Sequence, residues 1–158
     1  NIKAVNEIFK IKKRPKQKPL PIFVKDLKME KKLAEISKEQ EKILTLRLRS
    51  GQAKYWPGKY TFVLRLKKGV KLYGIAKKTI AIRVPQYKFL NNLLKKVNRP
   101  LVQTSVNISG QSHLTKADDI VKKFGKYKNI ILIDARKLKK SKPSKIIDLT
   151  DKDKKILR

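Results

Sequence analysis

A chain of 158 residues is long enough for one domain with a sizeable core, and 43 lysines and arginines against 12 aspartates and glutamates give it a net charge of +31. The absence of cysteine excludes disulfide bonds, thiolate metal sites and a cysteine nucleophile, and no apolar run is long enough to span a bilayer. We expect a cytoplasmic protein without membrane contact, whose charge favours anionic partners such as nucleic acid or phosphorylated substrates.

Apolar residues spaced by three and four positions predict helices, and apolar runs or alternations predict strands. The predicted helices are "NIKAVNEIF" at the start, a short helix around Leu33 and Ile36, one from Ser37 through Leu46, one across residues 89–97, and one from Thr115 to Phe124. The predicted strands are "LPIFV", the alternating residues 60–67, "TIAIRVP", the extended "RPLVQTSVN", the buried "IILID" and "IIDL", with a basic loop "KLKKSKPSK" before the last. These elements alternate irregularly around a hairpin-like central pair. They predict an α/β fold: one domain over residues 1–158 with a twisted mixed β-sheet flanked by helices.

Two local signals mark the starts of predicted helices. Ser37 with Gln40 has the spacing of a capping box, and Thr115 with Asp118 has a similar pattern. Gly125 is placed to end the helix that Thr115 begins. We therefore expect helices to start directly after Ser37 and after Thr115.

Lysine occurs in nearly every segment, so a general bias toward solvated lysine explains the charge better than a dedicated nucleic-acid surface does. The eight arginines are better candidates for specific anion contacts, because each carries a planar fork of donors. The one histidine, His113, and the absence of cysteine argue against a metal cluster, and a lone loop histidine is more often solvated than catalytic. What remains is a set of donor-rich loops without an evident general base.

The first donor-rich segment is "KIKKRPKQKPLPIFV", in which Lys12 and Arg14 precede Pro15 and Pro19. The prolines stiffen the chain, so the two cations could be held at a fixed separation for a polyphosphate or a carboxylate. A solvated basic linker is the alternative, and composition alone favours it.

The second segment is "TIAIRVP", where Thr79, Ala81 and Arg83 share one face of a strand. Arg83 could lie on the wet side of the sheet, and a ligand carboxylate would equally explain the choice of arginine over lysine. The residues leave these two interpretations balanced.

The third segment is "QTSVNISGQS", which supplies the hydroxyls of Ser105 and Ser109, the amide of Asn107 and the flexible Gly110. Backbone N–H groups around such a glycine can form an anion-binding nest, although a turn whose side chains satisfy its own backbone is the more common structure. A fourth segment, "KPSKIIDLT", presents Ser144 at the entry to a strand, with little specificity.

Taken in order, these segments resemble the YrdC family of threonylcarbamoyl-AMP synthases. "IFKIKKRPKQKPLPIFV" resembles the family's Lys-x-Arg-Pro segment, "YWPGKYTFVL" its Trp-Pro-Gly turn and strand, and "TIAIRVP" its Arg-containing strand. "TSVNISG" resembles the Ser-Ala-Asn-x-Ser-Gly loop, and "PSKIIDL" the late Ser-Thr-Val-Val-Asp-Leu segment. Each match is modest alone, but the shared order and spacing across nearly the whole chain make the resemblance specific.

The resemblance implies a nucleotidyltransferase that forms threonylcarbamoyl-adenylate and pyrophosphate from L-threonine, bicarbonate and ATP. Mg²⁺ would be held mainly by phosphate oxygens. The product would feed a separate tRNA-modifying transferase, which completes threonylcarbamoyladenosine beside the anticodon of certain tRNAs. Such a site must gather several anions, so it calls for cations and N–H donors more than for a protein base.

The resemblance also implies roles for individual residues. Lys12 and Arg14 would contact the phosphates and the reacting carbamate. The ATP-binding residues would be Arg14, Lys18, Thr79, Ser105, Asn107, His113 and Arg158, with Ser109 and Gly110 shaping the loop. The threonine-binding residues would be Phe23, Arg83, Gln103 and Ser144.

The chain departs from the family pattern at several positions. No segment resembles the family's opening Pro-Thr-Glu-Thr sequence, and we expect an N-terminal piece that carries it to be missing. The differing positions are Lys18 and Phe23, where Asn and His are frequent, Val106 for Ala, His113 for Ser, Lys145 for Thr, and Gln103 in a backbone-contact position.

Two other functions remain open from the sequence. A basic module of the same fold could bind RNA without catalysis. Related domains also occur in carbamoyltransferases that mature hydrogenases, but the chain has no zinc-finger or acylphosphatase-like sequence to support that function.

Overall fold

The computed structural model describes residues 1–135, 142–151 and 154–158. Its backbone divides into two compact units: unit 1 comprises Asn1–Lys18 and Thr104–Lys142, and unit 2 comprises Pro19–Gln103 and Pro143–Arg158. Part of the predicted basic loop, residues 137–141, lies outside the described residues together with Arg136. No helix in the described ranges is long and apolar enough to cross a membrane.

The described residues form five helices and seven short strands. The helices are α1 (Ile2–Ile11), α2 (Leu27–Glu30), α3 (Lys38–Leu44), α4 (Lys88–Val97) and α5 (Ala117–Phe124). The strands are β1 (Ile22–Phe23), β2 (Ala34–Glu35), β3 (Tyr60–Leu66), β4 (Thr79–Arg83), β5 (Leu101–Val102), β6 (Lys145–Asp148) and β7 (Lys155–Ile156). Helices α1 and α5 belong to unit 1, and all other elements belong to unit 2.

One mixed sheet organises unit 2. Its strand order is β5-β1-β4-β3-β6-β7, and β2 pairs with β3 beyond the segment of β3 that β6 covers. The pairs β1·β4 and β3·β6 are parallel, whereas β3·β4, β1·β5, β2·β3 and β6·β7 are antiparallel. The prediction of an α/β fold with a mixed sheet is confirmed.

The central strands supply the core of unit 2 because their apolar residues alternate with half-buried ones. Phe62 and Leu64 of β3 lie opposite Ile82 and Ile80 of β4, and all four side chains are buried. Leu44 of α3 packs into the same cluster. Burial of each such side chain contributes about 1.5–3 kcal/mol, so this pair of strands is a rigid base for the residues at its ends.

The capping box that precedes α3 forms as the sequence predicts. The Ser37 hydroxyl accepts a hydrogen bond from the Gln40 N–H at 3.2 Å, and Gln40 Oε1 accepts one from the Ser37 N–H at 2.8 Å. The helix ends at Leu44 rather than continuing through Leu46. The capping-box pattern therefore predicted the start of α3 correctly, whereas the apolar spacing predicted a helix that is too long.

Two predicted helix features are wrong. Residues around Leu33 and Ile36 form no helix, because Ala34 joins the sheet as β2 opposite Leu66, while α2 ends earlier, at Glu30. Helix α5 begins at Ala117 after Lys116, and no side chain caps it, so Thr115 does not start that helix.

The predicted buried strand "IILID" is also wrong. Residues 130–134 adopt no regular structure, and the side chains of Ile131 and Ile133 are 88% and 60% exposed. An apolar run becomes a buried strand only where a neighbouring strand can pair with it. None of the described strands pairs with this segment.

Candidate active site

A tight turn after α1 separates Lys12 from Arg14. The Arg14 N–H donates to the Phe9 carbonyl at 2.9 Å and the Lys13 N–H donates to the Lys10 carbonyl at 3.1 Å, the two hydrogen bonds of a Schellman motif. Lys13 has a φ of 48°, the left-handed conformation that such a turn requires. This reversal, rather than proline stiffness alone, fixes the direction of the chain between the two cations.

Lys12 is the most buried cation of the predicted site, with 5% of its surface exposed. Its ammonium donates to the Ser105 carbonyl at 2.6 Å, the Asn107 carbonyl at 2.7 Å and Asn107 Oδ1 at 2.8 Å. Burial lowers the pKa of this ammonium, and the positive charge of Arg14 lowers it further. Lys12 therefore binds the polar loop of unit 1 directly.

The polar loop, residues 105–111, is held by hydrogen bonds among its own side chains. Asn107 Oδ1 accepts from the Ser105 hydroxyl at 2.7 Å, and Asn107 Nδ2 donates to the Gln111 carbonyl at 2.7 Å. Gly110 has the positive φ, 86°, that the sequence led us to expect. The buried Ser109 hydroxyl has no partner among the described residues, and an unpaired buried hydroxyl is costly unless a ligand or water satisfies it.

Arg14 is half-buried, and its Nε donates to the Lys18 carbonyl at 3.0 Å. Burial lowers the pKa of the Arg14 guanidinium. The Lys18 side chain is exposed, so Lys18 supports Arg14 through its backbone. The His113 side chain is also exposed and has no hydrogen bond to another described residue.

Arg83, one of the predicted threonine-binding residues, is the last residue of β4 in unit 2. Its Nε donates to the Gly58 carbonyl at 2.8 Å, and its guanidinium lies 5.7 Å from the centroid of the Phe23 ring. Burial lowers the pKa of this guanidinium. The two terminal nitrogens donate to no described residue, so the fork is anchored at one end and available at the other.

Phe23 lies beside Arg83 in the sheet, and Gln103 directly follows β5 on the other side of β1. Phe23 of β1 pairs with Arg83 on one side and Leu101 on the other. The Gln103 N–H donates to the Pro21 carbonyl at 2.9 Å, which extends the β1·β5 pairing past the end of β5. The sheet therefore brings together Phe23 and Arg83, while Gln103 is separated from Arg83 by β1.

Ser144, the fourth residue predicted to bind threonine, lies one residue before β6. Its hydroxyl is 3.0 Å from the hydroxyl of Thr61 on β3, and both side chains are buried. Arg158 Nη2 donates to the Ser144 carbonyl at 3.3 Å, and the Ile146 N–H donates to the Arg158 carbonyl at 2.9 Å. These contacts hold Arg158 beside the entry to β6.

Thr79 is the first residue of β4 and lies opposite Arg65 in the register. Thr79, Ala81 and Arg83 are half-buried while Ile80 and Ile82 between them are buried. The predicted shared face of this strand is therefore confirmed, whereas the predicted role of Thr79 in nucleotide binding stays a prediction.

Sequence reasoning missed two supporting residues, Gly58 and Thr61. Gly58 belongs to the "YWPG" turn and offers its carbonyl to Arg83, and Thr61 pairs with Ser144 across 83 positions of the chain. The turn was visible in the sequence, but its contact with a particular arginine depends on how β3 and β4 pair. No local pattern could have indicated either contact.

No group of three or more histidine, cysteine, aspartate or glutamate side chains within the described ranges could hold a metal ion. The donors that converge in each unit are instead cationic groups, hydroxyls and N–H groups. The fold is that of an α/β protein with a mixed sheet, and donors of these kinds are suited to anionic ligands.

The comparisons with known proteins agree with that class. The family model for Sua5, YciO and YrdC proteins, described as "Telomere recombination", matches residues 1–158. The chain belongs to the Sua5/YciO/YrdC family.

Individual relatives cover almost all of this chain. A Methanocaldococcus jannaschii protein is 36% identical over 151 residues, which make up 96% of this chain and 67% of that protein. A Neisseria gonorrhoeae protein named threonylcarbamoyl-AMP synthase is 30% identical over 148 residues, 92% of this chain and 74% of that protein. The crystal structure of Pyrococcus abyssi Sua5 complexed with L-threonine matches with a TM-score of 0.81 and 30% identity, over 99% of this chain and 44% of that chain. The chain thus spans less than half of the Pyrococcus structure.

Proposed function

We propose that the protein is an L-threonylcarbamoyladenylate synthase, a nucleotidyltransferase that joins L-threonine, bicarbonate and ATP into threonylcarbamoyl-AMP and pyrophosphate. The observation that carries this proposal is the arrangement around Arg83, whose half-buried guanidinium is anchored through Nε with its terminal nitrogens available. The names of the related synthases support the same activity.

Arg83 is suited to a carboxylate. The Gly58 carbonyl fixes the plane of the guanidinium, and the Phe23 ring beside it excludes water from one side. Two parallel N–H groups can then meet both oxygens of an α-carboxylate. A partly desolvated cation gains more from such a pair than a solvated one does, because the interaction is less screened.

The triphosphate of ATP would be bound by hydrogen-bond donors and would not need a protein base. Unit 1 contains such donors. Arg14 supplies a half-buried guanidinium, and the N–H groups of Val106, Ile108 and Gly110 donate to no described residue. Backbone N–H groups in a loop of this kind form a nest for phosphate oxygens. Mg²⁺ would arrive with ATP on the phosphates and neutralise part of their charge.

The proposed chemistry has two steps. The free amine of threonine attacks bicarbonate and forms a carbamate with loss of water. If CO₂ is the species attacked, bicarbonate first takes up a proton and loses water, and the amine returns that proton when it bonds to CO₂. A carbamate oxygen then attacks the α-phosphorus of ATP, and the bond to pyrophosphate breaks. Both steps bring negative groups together, so acceleration comes mainly from positioning and from stabilisation of charge by cations and N–H donors.

Pyrophosphate release by the purified protein tests this proposal. We expect release only when ATP, threonine and bicarbonate are all present, together with a product of the mass of threonylcarbamoyl-AMP. Release that is indifferent to threonine would contradict the proposal, as would an absence of release together with no threonine binding in calorimetry.

Replacement of Arg83 by lysine tests the threonine contact. Arg83→Lys leaves one point charge in place of a fork, so we expect the KM for threonine to rise by about tenfold to a hundredfold with little change in the KM for ATP. Arg47→Lys is the matched control, because Arg47 is exposed in the same unit and its side chain donates to the Gly51 carbonyl in a turn away from Arg83 in the chain. Equal loss for both substrates would refute the assignment of Arg83 to threonine.

The product would pass to a separate transferase that modifies tRNA, in the cytoplasm. The net charge of +31 favours a second candidate, an RNA-binding module without catalysis. The two differ in the pyrophosphate assay, since a binding module would release none under any combination of substrates.

A further inference from the structure

The ammonium of Lys12 has no donor left for a ligand. It reaches three oxygens, the carbonyls of Ser105 and Asn107 and the Asn107 side chain, at 2.6–2.8 Å. An ammonium carries three N–H donors, so these bonds use all of them. With 5% of its surface exposed, Lys12 also has little room for a phosphate.

Lys12 contacts the polar loop through both its side chain and its backbone carbonyl. The Ser109 N–H donates to the Lys12 carbonyl at 2.8 Å, so one residue holds the loop by its side chain and by its backbone. The Asn107 oxygen that accepts from Lys12 also accepts from the Ser105 hydroxyl. Lys12 therefore adds three charged hydrogen bonds and one backbone bond to those that the loop makes within itself.

The choice of lysine fits this role. Three oxygens gathered around one point match the three converging donors of an ammonium, whereas a guanidinium spreads its donors in a plane. If the ammonium is removed, two backbone carbonyls and one amide oxygen lose a charged partner. An unpaired buried acceptor is unfavourable, so the loop would open toward water to satisfy them.

We propose that Lys12 is a positioning residue, which holds residues 105–111 in the conformation that presents their free N–H groups to an anionic ligand and does not itself contact phosphate. The identity of that ligand as ATP rests on the proposed function. The contact between Lys12 and the loop is independent of it.

Amide hydrogen exchange of the ligand-free protein tests the holding role. Lys12→Met removes the ammonium and keeps most of the length of the side chain. In this variant the amides of Asn107, Ser109 and Leu114 should exchange about tenfold faster, because their hydrogen bonds lie within or next to the polar loop. Lys10→Met is the control, since Lys10 is exposed on the same helix and its loss removes the same charge. Unchanged exchange in Lys12→Met would overturn the proposal.

Asn107→Ala is a second variant, which tests the same contact if Lys12→Met fails to fold. It removes one of the three acceptors of Lys12 together with the side-chain hydrogen bonds to Ser105 and Gln111, so the same amides should also exchange faster. The amides of β3 in unit 2 should keep their exchange rates in both variants. Acceleration in β3 to the same extent as in the loop would show general unfolding and would contradict a specific role.

A double-mutant cycle on ATP affinity separates positioning from direct contact. If Lys12 acts by holding the loop through Asn107, Lys12→Met should add much less to the loss of affinity in the Asn107→Ala background than it does alone. An equal loss in both backgrounds would show direct contact and refute the proposal. If the unaltered protein does not bind ATP, the proposed function fails, and the exchange experiment still decides whether Lys12 holds the loop.

Discussion

A buried carboxyl in unit 2 should make the stability of the protein depend on pH. Glu30, the last residue of α2, is 0% exposed, and neither carboxyl oxygen has a hydrogen-bond partner among the described residues. Burial raises the pKa of Glu30 to about 8, while Lys31 lowers it and Glu41 raises it further. Lys31 and Glu41 bind each other at 2.6 Å, so the nearest cation is already engaged.

The direction of the effect follows from proton binding. Between the ordinary pKa of 4.5 and about 8, folded Glu30 keeps a proton that the unfolded chain releases. The free energy of unfolding therefore falls as pH rises through this interval, and it levels off above the folded-state pKa. Below pH 4.5 the carboxyl is protonated in both states and contributes no pH dependence.

The size of the effect can be bounded from the same values. The interval covers about 3.5 pH units, and each unit corresponds to about 1.4 kcal/mol. Ionised Glu30 would thus cost at most about 5 kcal/mol, because local relaxation and entry of water reduce the penalty. Glu30→Gln removes the charge and keeps the shape, so it should restore most of this energy above pH 8 and little at pH 4.5.

Urea denaturation at several pH values measures this difference. The fluorescence of Trp56, the one tryptophan of the chain, reports on the core of unit 2. Glu39→Gln is a control of opposite sign. A hydrogen bond from the Ser37 hydroxyl lowers the pKa of exposed Glu39, so that variant should match the unaltered protein at low pH and be less stable than it above the carboxyl titration range. A constant difference between Glu30→Gln and the unaltered protein from pH 4.5 to 9 would refute the argument.

Two further predictions concern the turn after α1 and the overall charge. Lys13→Gly should raise the free energy of unfolding of unit 1 by about 0.5–1 kcal/mol, because glycine adopts the left-handed conformation of Lys13 without strain. Thermal denaturation measures this gain. Lys13→Ala is the control, since it also loses the charge but should not gain stability. RNA of unrelated sequences should bind with similar affinity in filter-binding assays and lose about a thousandfold in affinity between about 50 and 200 mM salt, since the attraction is to phosphates. Strong preference for one sequence at high salt would favour the RNA-binding alternative.

Features that depend on adjacent residues could be predicted from the sequence. The capping box at Ser37, helix α1 and the alternating strand β3 all follow from neighbours along the chain. The left-handed Gly110 in the polar loop belongs to the same group, since glycine tolerates this conformation in almost any context.

Features that depend on distant partners could not be predicted from local pattern. Residues 130–134 have the composition of a buried strand but pair with no described strand, and Ala34 joins β3 although its neighbours Leu33 and Ile36 have helical spacing. The strand β7 was not predicted, because two residues of a basic end, Lys155–Ile156, carry no periodicity. Pairing in a sheet is decided across the fold, so the same apolar pattern can have different outcomes.

The site also shows why the large net charge is a poor guide to function. Burial lowers the pKa of Lys12, Arg14 and Arg83, and the sequence had already marked all three as candidate site residues. A solvated lysine costs the fold almost nothing, whereas a cation removed from water must be compensated by hydrogen bonds or by a ligand. Lys12 is compensated within the protein by three oxygens, while Arg83 has one anchoring bond and two terminal nitrogens that donate to none of the residues in the described ranges. A buried cation whose donors are not all used can still bind a substrate anion. Arg83 is therefore the better candidate for substrate contact, and Lys12 is the better candidate for positioning.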